Sequence, residues 1–578
     1  MHKRRIERRP TITEPDALPP EIPPVLRRIY AARGVADASA LDRGLGGLAA
    51  PDELSSLDRA AALVADEVEQ GGRILIVGDF DADGATSCAL AIRALRAMGA
   101  TDPDYLVPNR FDYGYGLSPE IVAVARQRAP NLIVTVDNGI SSIAGVAAAN
   151  DAGIPVLVTD HHLPGESLPA ATAVVNPNLP GDAFPSKALA GVGVIFYVML
   201  AVRGVLRERG WFRRRGLAEP NLAEQLDLVA LGTVADVVPL DRNNRILVEQ
   251  GLRRIRAGRV CPGLEALLTI AGRDPRRLVA SDLAFAAGPR LNAAGRLEDM
   301  AVGIECLLSD GPARAQELAA MLDGLNRQRR EIEGRMRDDA MAAVDTMLER
   351  LGGPLPPALC LADDEWHQGV IGIVASRIKE HCHRPVIAFA PSGDDELKGS
   401  ARSIPGLHIR DALERVSGRH PGLIPRFGGH AMAAGLSLAA SDLDRFRDAF
   451  ETVVSEVITD RDLEGVVRTD GPLAPAEFTL ELAETLRTAG PWGQGFPEPV
   501  FDNPFRIEAR RVVGERHLKL RVRPDPDGPL VDAIAFNALD RGWDAVGARA
   551  TLAYRLDVNE YRGKRSLQLM VEHIEPLG

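Results

Sequence analysis

Cysteine is scarce in this chain: five residues in 578, at positions 88, 261, 306, 360 and 382, never in Cys-x-x-Cys spacing. That scarcity excludes a disulfide framework and a zinc site built from cysteines, and it fits a reducing cytoplasm. No run of 18 uncharged apolar residues occurs, so no membrane span is expected. The basic N-terminus, with Lys3, Arg4, Arg5, Arg8 and Arg9, is followed by no apolar core and does not read as a secretory signal. Aromatic residues make up only 4% of the chain. Lysine is nearly absent, at six of the 68 positive residues. Arginine suits bidentate phosphate contacts, although genomic base composition explains the same bias. Hydrophobic residues at 46% and charged residues at 26% are ordinary for globular proteins and exclude wholesale disorder. The net charge of 68 − 80 = −12 argues at first against a nucleic-acid partner. In a long chain, however, acidic residues gathered on a metal and basic residues clustered elsewhere give the same sum.

At roughly 100–200 residues per domain, the length predicts three or four domains. Residues 1–50 are Pro-rich, with Pro19, Pro20, Pro23 and Pro24 close together, and are expected to be irregular. Within 51–310, short apolar runs at 73–78, 131–136 and 154–158 alternate with helical patterns at 85–98 and 140–152. That cadence predicts an α/β domain with a parallel sheet covered on both faces, whose ligands bind beyond the carboxyl ends of the strands. Residues 311–353 read as one long, polar, arginine-studded helix connecting domains. A second αβ segment occupies 354–460. Residues 461–578 turn to apolar–polar alternation at 518–522, 550–558 and 566–571, which predicts a small β-barrel.

Chemistry concentrates at the ends of the predicted strands. The segment 78–84 places Asp79, Asp81 and Asp83 at i, i+2 and i+4 after an apolar strand. Three like charges within one turn are costly unless a cation neutralises them, and hard divalent cations take carboxylate oxygens. A calcium-binding EF-hand is excluded, because position 12 counted from Asp79 is Leu90 and a strand precedes the loop. A second strand ends in Asp137, a third in Asp160-His161-His162, and a fourth motif, 231–239, contains Asp236. A lone Asp after a strand is ordinarily a helix N-cap. Three strand ends bringing carboxylates and imidazoles to one sheet edge are a different matter. Such a mixed oxygen and nitrogen set suits Mn²⁺ or Mg²⁺.

Together these motifs resemble the DHH phosphoesterase superfamily, named for the triplet at 160–162, and within it the single-strand-specific 5′→3′ exonucleases. The resemblance runs from about residue 70 to the C-terminus, through the segments 288–296, 366–377, 399–402 and 427–430. The last three mark the DHH-associated domain, and the C-terminal barrel resembles an OB-fold. The resemblance implies two divalent ions about 3.5–4 Å apart, clamping the attacking and leaving oxygens of an in-line displacement. Asp81 and Asp137 would hold one ion; Asp83, His161, Asp236 and the shared Asp137 would hold the other. His162 would touch the scissile phosphate, and Asp160 would orient the ligands from behind. Some relatives carry a His where this chain has Val77, and Asp79 is the candidate to replace it as a ligand. Ser400, Arg402 and His430 would grip substrate phosphate, with Gly428 and Gly429 allowing close backbone approach and Arg290 and Arg377 as further candidates. His367 stays open between a phosphate contact and a structural role. In the barrel, Arg506, Arg510, Arg511, Arg516, Lys519, Arg521, Arg523, Arg562, Lys564 and Arg565 give local positive charge, with Phe536 and Tyr561 as candidates to stack on bases.

The expectation is therefore a cytoplasmic, monomeric exonuclease without membrane association, using two Mn²⁺ or Mg²⁺ ions to degrade single-stranded DNA from its 5′ end. The resemblance implies roles in recombination and DNA repair, with single-strand-binding protein and a RecQ-type helicase as partners. Phosphodiesterases of short oligonucleotides or cyclic dinucleotides and manganese pyrophosphatases are the sibling alternative, but they need no OB-like domain. A non-catalytic scaffold is the third reading. It would show eroded motifs, whereas here the acidic and His motifs stand complete apart from Val77.

Overall fold

The computed structural model describes residues 4–108, 116–351, 355–393, 395–525, 527–561 and 563–577. The chain forms two compact units, each assembled from separate stretches: 10–326 with 481–499, and 1–9 with 327–480 and 500–578. The N-terminal segment is not irregular, contrary to expectation. It contains a strand, β1 (Arg4–Arg8), and a helix, Pro24–Ala31. Pro24 occupies the first helical position, where its missing N–H would have no partner anyway, and the helix buries Val25, Leu26, Ile29 and Tyr30.

The larger unit is built on β2 (Ile74–Gly78), β3 (Asp104–Leu106), β4 (Leu132–Val136), β5 (Val156–Thr159) and β6 (Ala173–Val175). All pairings are parallel, in the order β3-β2-β4-β5-β6. Every residue of β2, β4 and β5 is buried, which is why these strands read as unbroken apolar runs. Their register is the feature that matters for function. Gly78 lies level with Val136 and Val136 with Thr159, so three neighbouring strands end together and release their polar residues at one edge. The helices Ala82–Ala97, Gly191–Glu208 and Leu226–Ala235 pack against one another beside that edge.

Residues 481–499 also belong to this unit, so the expected 461–578 domain is interrupted. The stretch is too short to form its own core, and its stacked aromatic rings pack on a residue far away in sequence, Tyr30. Trp492 stacks 6.2 Å from Tyr30 and 5.1 Å from Phe496, and the Leu240 N–H donates to the Gln494 carbonyl at 2.7 Å.

In the second unit, β7 (Leu359–Ala362), β8 (Val386–Pro391), β9 (Glu396–Arg402), β10 (Arg426–Gly429) and β11 (Ala433–Ala439) form a mixed sheet in the order β10-β11-β9-β8-β7. Its core includes Phe389, Phe446 and Phe450. The helix Pro312–Leu351 is 40 residues long, and residues from 327 onward belong to this unit. β12 (Gly465–Thr469) pairs in parallel with β1. β13 (Phe501–Val513), β14 (His517–Pro524), β15 (Val531–Ala535), β16 (Arg549–Tyr561) and β17 (Lys564–Pro576) close into a barrel in the order β13-β14-β15-β17-β16. Closure leaves no free edge strand in the barrel. Phe501, Phe505 and Tyr554 are wholly buried there.

The N-terminal strand is fastened by charge as well as by its ladder. Arg8 donates to Asp502 Oδ2 through Nη2 at 2.8 Å and through Nε at 3.1 Å, while the Thr469 hydroxyl donates to Oδ1 at 2.6 Å. Asp502 is nearly buried, but Arg8 is largely exposed, so the pair is partly screened. Arg8→Ala should cost about 1 kcal/mol, read as a lower urea midpoint with an unchanged slope. An unaltered midpoint would show that β1 does not brace this unit.

Candidate metal centre and phosphate-binding residues

The acidic loop after β2 combines helix capping with ligand placement. Asp81 caps the helix Ala82–Ala97, its Oδ1 accepting the N–H groups of Asp83 at 2.9 Å and Gly84 at 3.0 Å, which leaves Oδ2 for a cation. Asp79 Oδ1 accepts the Phe80 N–H at 2.7 Å. Asp83 is 1% exposed and accepts the N–H groups of Gly191 at 2.7 Å and Val192 at 2.9 Å. Those donors open the helix Gly191–Glu208, whose positive end favours a carboxylate. Asn292 fixes the loop from another side, its Oδ1 accepting the Ala82 N–H at 2.7 Å.

Asp137 follows β4 in the left-handed region, φ 61°, a conformation Asp tolerates better than most residues. Gly191 lies against it: a Cβ there would come within 2.6 Å of Asp137 Cβ and 2.7 Å of its Oδ1. Asp160 is 1% exposed and accepts N–H groups from Ile140 at 2.9 Å, His161 at 2.7 Å and His162 at 3.1 Å. It also pairs with His162 Nδ1 at 2.7 Å. Asn178 and Asn176 donate to the carbonyls of His161 and His162, at 2.6 and 2.9 Å. His161 Nε2 lies 3.1 Å from Asp137 Oδ1 and 3.5 Å from Asp236 Oδ2. Asp236 arrives from a helix end rather than a strand, just past Leu226–Ala235.

These positions produce three groups of side chains that could each hold a metal ion: Asp79–Asp81–Asp137, Asp83–His161–Asp236 and Asp137–His161–His162. Seven of the sequence-predicted residues thus converge, with Asp160 directly behind them. Electrostatics follow from the crowding. Burial, then the charges of neighbouring carboxylates, hold Asp83 and Asp137 well above the usual carboxylate range. Burial and the charge of Asp81 raise Asp236 to about 7. Burial works against a charged His162, but its bond to Asp160 and the charges of Asp160, Asp236 and Asp79 outweigh this and raise it to about 9. The same partnership keeps Asp160 below its ordinary value despite its burial. Both shifts favour the charged forms of His162 and Asp160.

The sequence reading did not find Gly191 and Val192, which orient Asp83, nor the two asparagines that hold the histidine backbone. The only signal for the first pair was a small-residue run, 188–193, opening an apolar helix.

In the second unit, Ser400 and Arg402 lie on β9. Ser400 sits opposite Gly435, which in turn sits opposite Gly428. Arg402 Nη1 donates to Ser400 Oγ at 3.1 Å and to the Ala401 carbonyl at 2.8 Å, and it meets no carboxylate among the described residues. Burial lowers its pKa. Gly372, in the first turn of the helix Ile371–Cys382, makes room for both: a Cβ would come within 2.8 Å of Arg402 Nη2 and 2.9 Å of Ser400 Oγ. A helix N-terminus, a hydroxyl and an unneutralised guanidinium are groups that could hold an anion. Gly429, φ 143°, precedes His430, whose N–H donates to the Ala433 carbonyl at 2.8 Å.

The remaining candidates are engaged elsewhere. Arg290 is 8% exposed and uses its guanidinium on Asp323, at 2.8 and 3.0 Å, and on the Ala286 carbonyl, at 2.7 Å. Arg377 pairs with Glu333 at 3.0 Å and Glu380 at 3.5 Å. His367 Nδ1 accepts the Gly369 N–H at 3.1 Å. On the barrel, Phe536 is 47% exposed, while Lys519 and Arg521 both pair with Asp532. Arg562 and the Tyr561 side chain lie outside the described residues.

Three family models match the chain: the DHH family N-terminal domain at residues 73–233, the DHHA1 domain at 356–456 and the RecJ OB domain at 469–573. Parallel sheet, acidic edge and C-terminal barrel thus define a protein of the DHH class. The chain is 60% identical over 575 residues, 99% of each chain, to the single-stranded-DNA-specific exonuclease RecJ of Dickeya dadantii. Crystal structures of RecJ from Thermus thermophilus in complex with Mn²⁺ and with Mg²⁺ match at TM-scores of 0.79 and 0.73 and identities of 32% and 30%. These matches cover 98% of this chain and 79% and 78% of theirs. The chain belongs to the RecJ family. Among the described residues, no helix is long and apolar enough to cross a membrane.

Raised carboxylate pKa values mean that the cation-free site holds protons, and a divalent ion must displace them to bind. Mn²⁺ affinity should therefore rise as pH climbs through about 7, the value for Asp236. Calorimetry from about pH 6 to about pH 8, in buffers of differing ionisation enthalpy, should detect the released protons. A pH-independent affinity would contradict the crowding. Gly191→Ala, which intrudes on Asp137, should weaken Mn²⁺ binding by about tenfold or more in the same measurement.

Proposed function

We propose that this chain is a metal-dependent exonuclease that removes nucleotides from the 5′ end of single-stranded DNA by a two-metal displacement. The observation that carries this reading is the adjacency of Asp79–Asp81–Asp137 and Asp83–His161–Asp236, joined by the 3.1 Å contact between His161 and Asp137. Carboxylates with one imidazole fit Mn²⁺ or Mg²⁺, the ions in the Thermus structures. Asp137 would bridge the two ions, and Asp79 would complete the first set in place of the His absent at Val77. When bound, such a pair supplies Lewis-acid stabilisation to the attacking and leaving oxygens of the phosphodiester.

The protein's own groups do the positioning. His162, charged at neutral pH, is the donor for a phosphate oxygen, and Asp160 keeps its ring charged and oriented. Ser400 and Arg402, with the backbone at Gly428, Gly429 and His430, grip another phosphate of the strand. The barrel binds bases and backbone of the strand, as OB folds do. The name of the Dickeya relative supports single-stranded DNA as substrate. On family resemblance we also assign a role in recombination and DNA repair, as a cytoplasmic monomer working with single-strand-binding protein and a RecQ-type helicase.

The test is product polarity. With Mn²⁺, a 3′-labelled single strand should shorten progressively, whereas a 5′-labelled strand should release its label as a mononucleotide at once. The opposite pattern, or internal cutting, would overturn the assignment. A second expectation concerns Arg402. Removing one phosphate contact by Arg402→Ala should weaken strand binding and make the logarithmic salt dependence shallower by about one unit. A parallel salt line with no loss of affinity would remove Arg402 from the strand path.

A further inference from the structure

Phe285 is the most exposed large apolar side chain among the described residues, at 74%. It projects from a π-helical turn, Leu283–Ala287, an irregularity that recurs at functional sites. Val237, the residue after Asp236, is 61% exposed and adopts φ 63°, a conformation strained for a β-branched side chain. Exposure and strain both oppose folding, so neither residue is explained by stability. The two meet in one cavity of about 320 Å³ within the larger unit, lined also by Val238, Trp492, Arg256 and Arg487.

The lining includes Val234, Ala235 and Val237, residues on either side of the candidate metal ligand Asp236. A nucleotide beside a scissile phosphate held at His161 and Asp236 would be the one offered to this cavity. Its chemistry suits the base of that nucleotide better than a peptide. An exposed flat ring offers a stacking face that any base can use. Arg487 supplies positive charge alongside, donating once, to the Arg277 carbonyl at 3.3 Å, and pairing with no carboxylate among the described residues. Arg256, by contrast, is paired with Glu249 at 3.6 Å.

We infer that this cavity seats a nucleobase of the single strand, with Phe285 as its stacking face, Val237 as its edge and Arg487 beside the adjoining phosphate. The inference rests on the exonuclease reading above and deepens it. Phe285 and Val237 are substrate-positioning residues whose contact is independent of base identity.

The experiment uses the full-length protein, Mn²⁺ and 5′-phosphorylated oligothymidylates carrying one abasic site at successive positions from the 5′ end. For the parent protein, one position should raise KM about tenfold, the loss of one stacked base, with kcat little changed. Phe285→Ala should show that same KM increase on the intact strand and no further penalty from the abasic site at that position. Phe285→Tyr should restore the parent pattern, which a merely structural role would not predict. The inference is overturned if Phe285→Ala matches the parent on intact strands, the result expected of a pocket for a protein partner. It is equally overturned if the abasic penalty persists undiminished in that variant. Failure of the parent protein to degrade single strands would instead sink the exonuclease reading itself, so the two failures are distinguishable.

Discussion

Repulsion among carboxylates held in a confined, largely buried space governs this structure. Asp79, Asp81, Asp83, Asp137 and Asp236 converge with two imidazoles beside them among the described residues, one of which is already paired with Asp160. Burial strengthens the repulsion, because a low local dielectric magnifies every charge interaction. Much of the surrounding architecture keeps these groups in place. Backbone N–H groups hold Asp81 and Asp83, a glycine makes room for Asp137, and Asn292 pins the loop between them. Such a site stores unfavourable energy that cations relieve, so binding them is linked to folding stability. Five of the 80 acidic residues are gathered at this one site, so the acidic net charge does not by itself argue against a nucleic-acid substrate.

The second unit carries the complementary problem. Arg402 is held by a serine and a carbonyl, in a place where a helix N-terminus adds further positive potential. Among the described residues Arg402 has no acidic partner, which is the observation behind proposing it for an anion. Arg290 and Arg377 lie in equally suggestive motifs, yet each is neutralised internally. The distinction rests on the presence or absence of a carboxylate neighbour, and no motif reports that.

The sheet and the acidic edge were legible because their signals are local. A strand buried on both faces must be an apolar run, and a carboxylate at its end must leave by the same edge as its neighbours. Asp79 through Asp83, Asp137 and the 160–162 triplet follow from that alone. Asp236 was legible as a motif but not as a helix end, because the run 226–234 is buried throughout and shows no helical period. Gly191 and Val192 were invisible because their role depends on packing across more than a hundred residues of sequence. The N-terminal strand was hidden for the same reason, since β1 exists only through its pairing with β12. The segment 481–499 lies inside the RecJ OB domain match yet packs in the other compact unit, because its proline and glycine content described a turn and said nothing of where Trp492 would pack.

The most direct measurement of the central claim is anomalous diffraction at the manganese edge from crystals of this protein grown with Mn²⁺. Two peaks should appear, one among Asp79, Asp81 and Asp137 and one among Asp83, His161 and Asp236, with Asp137 within coordination distance of both. A single peak, or two peaks that do not share Asp137, would contradict the account.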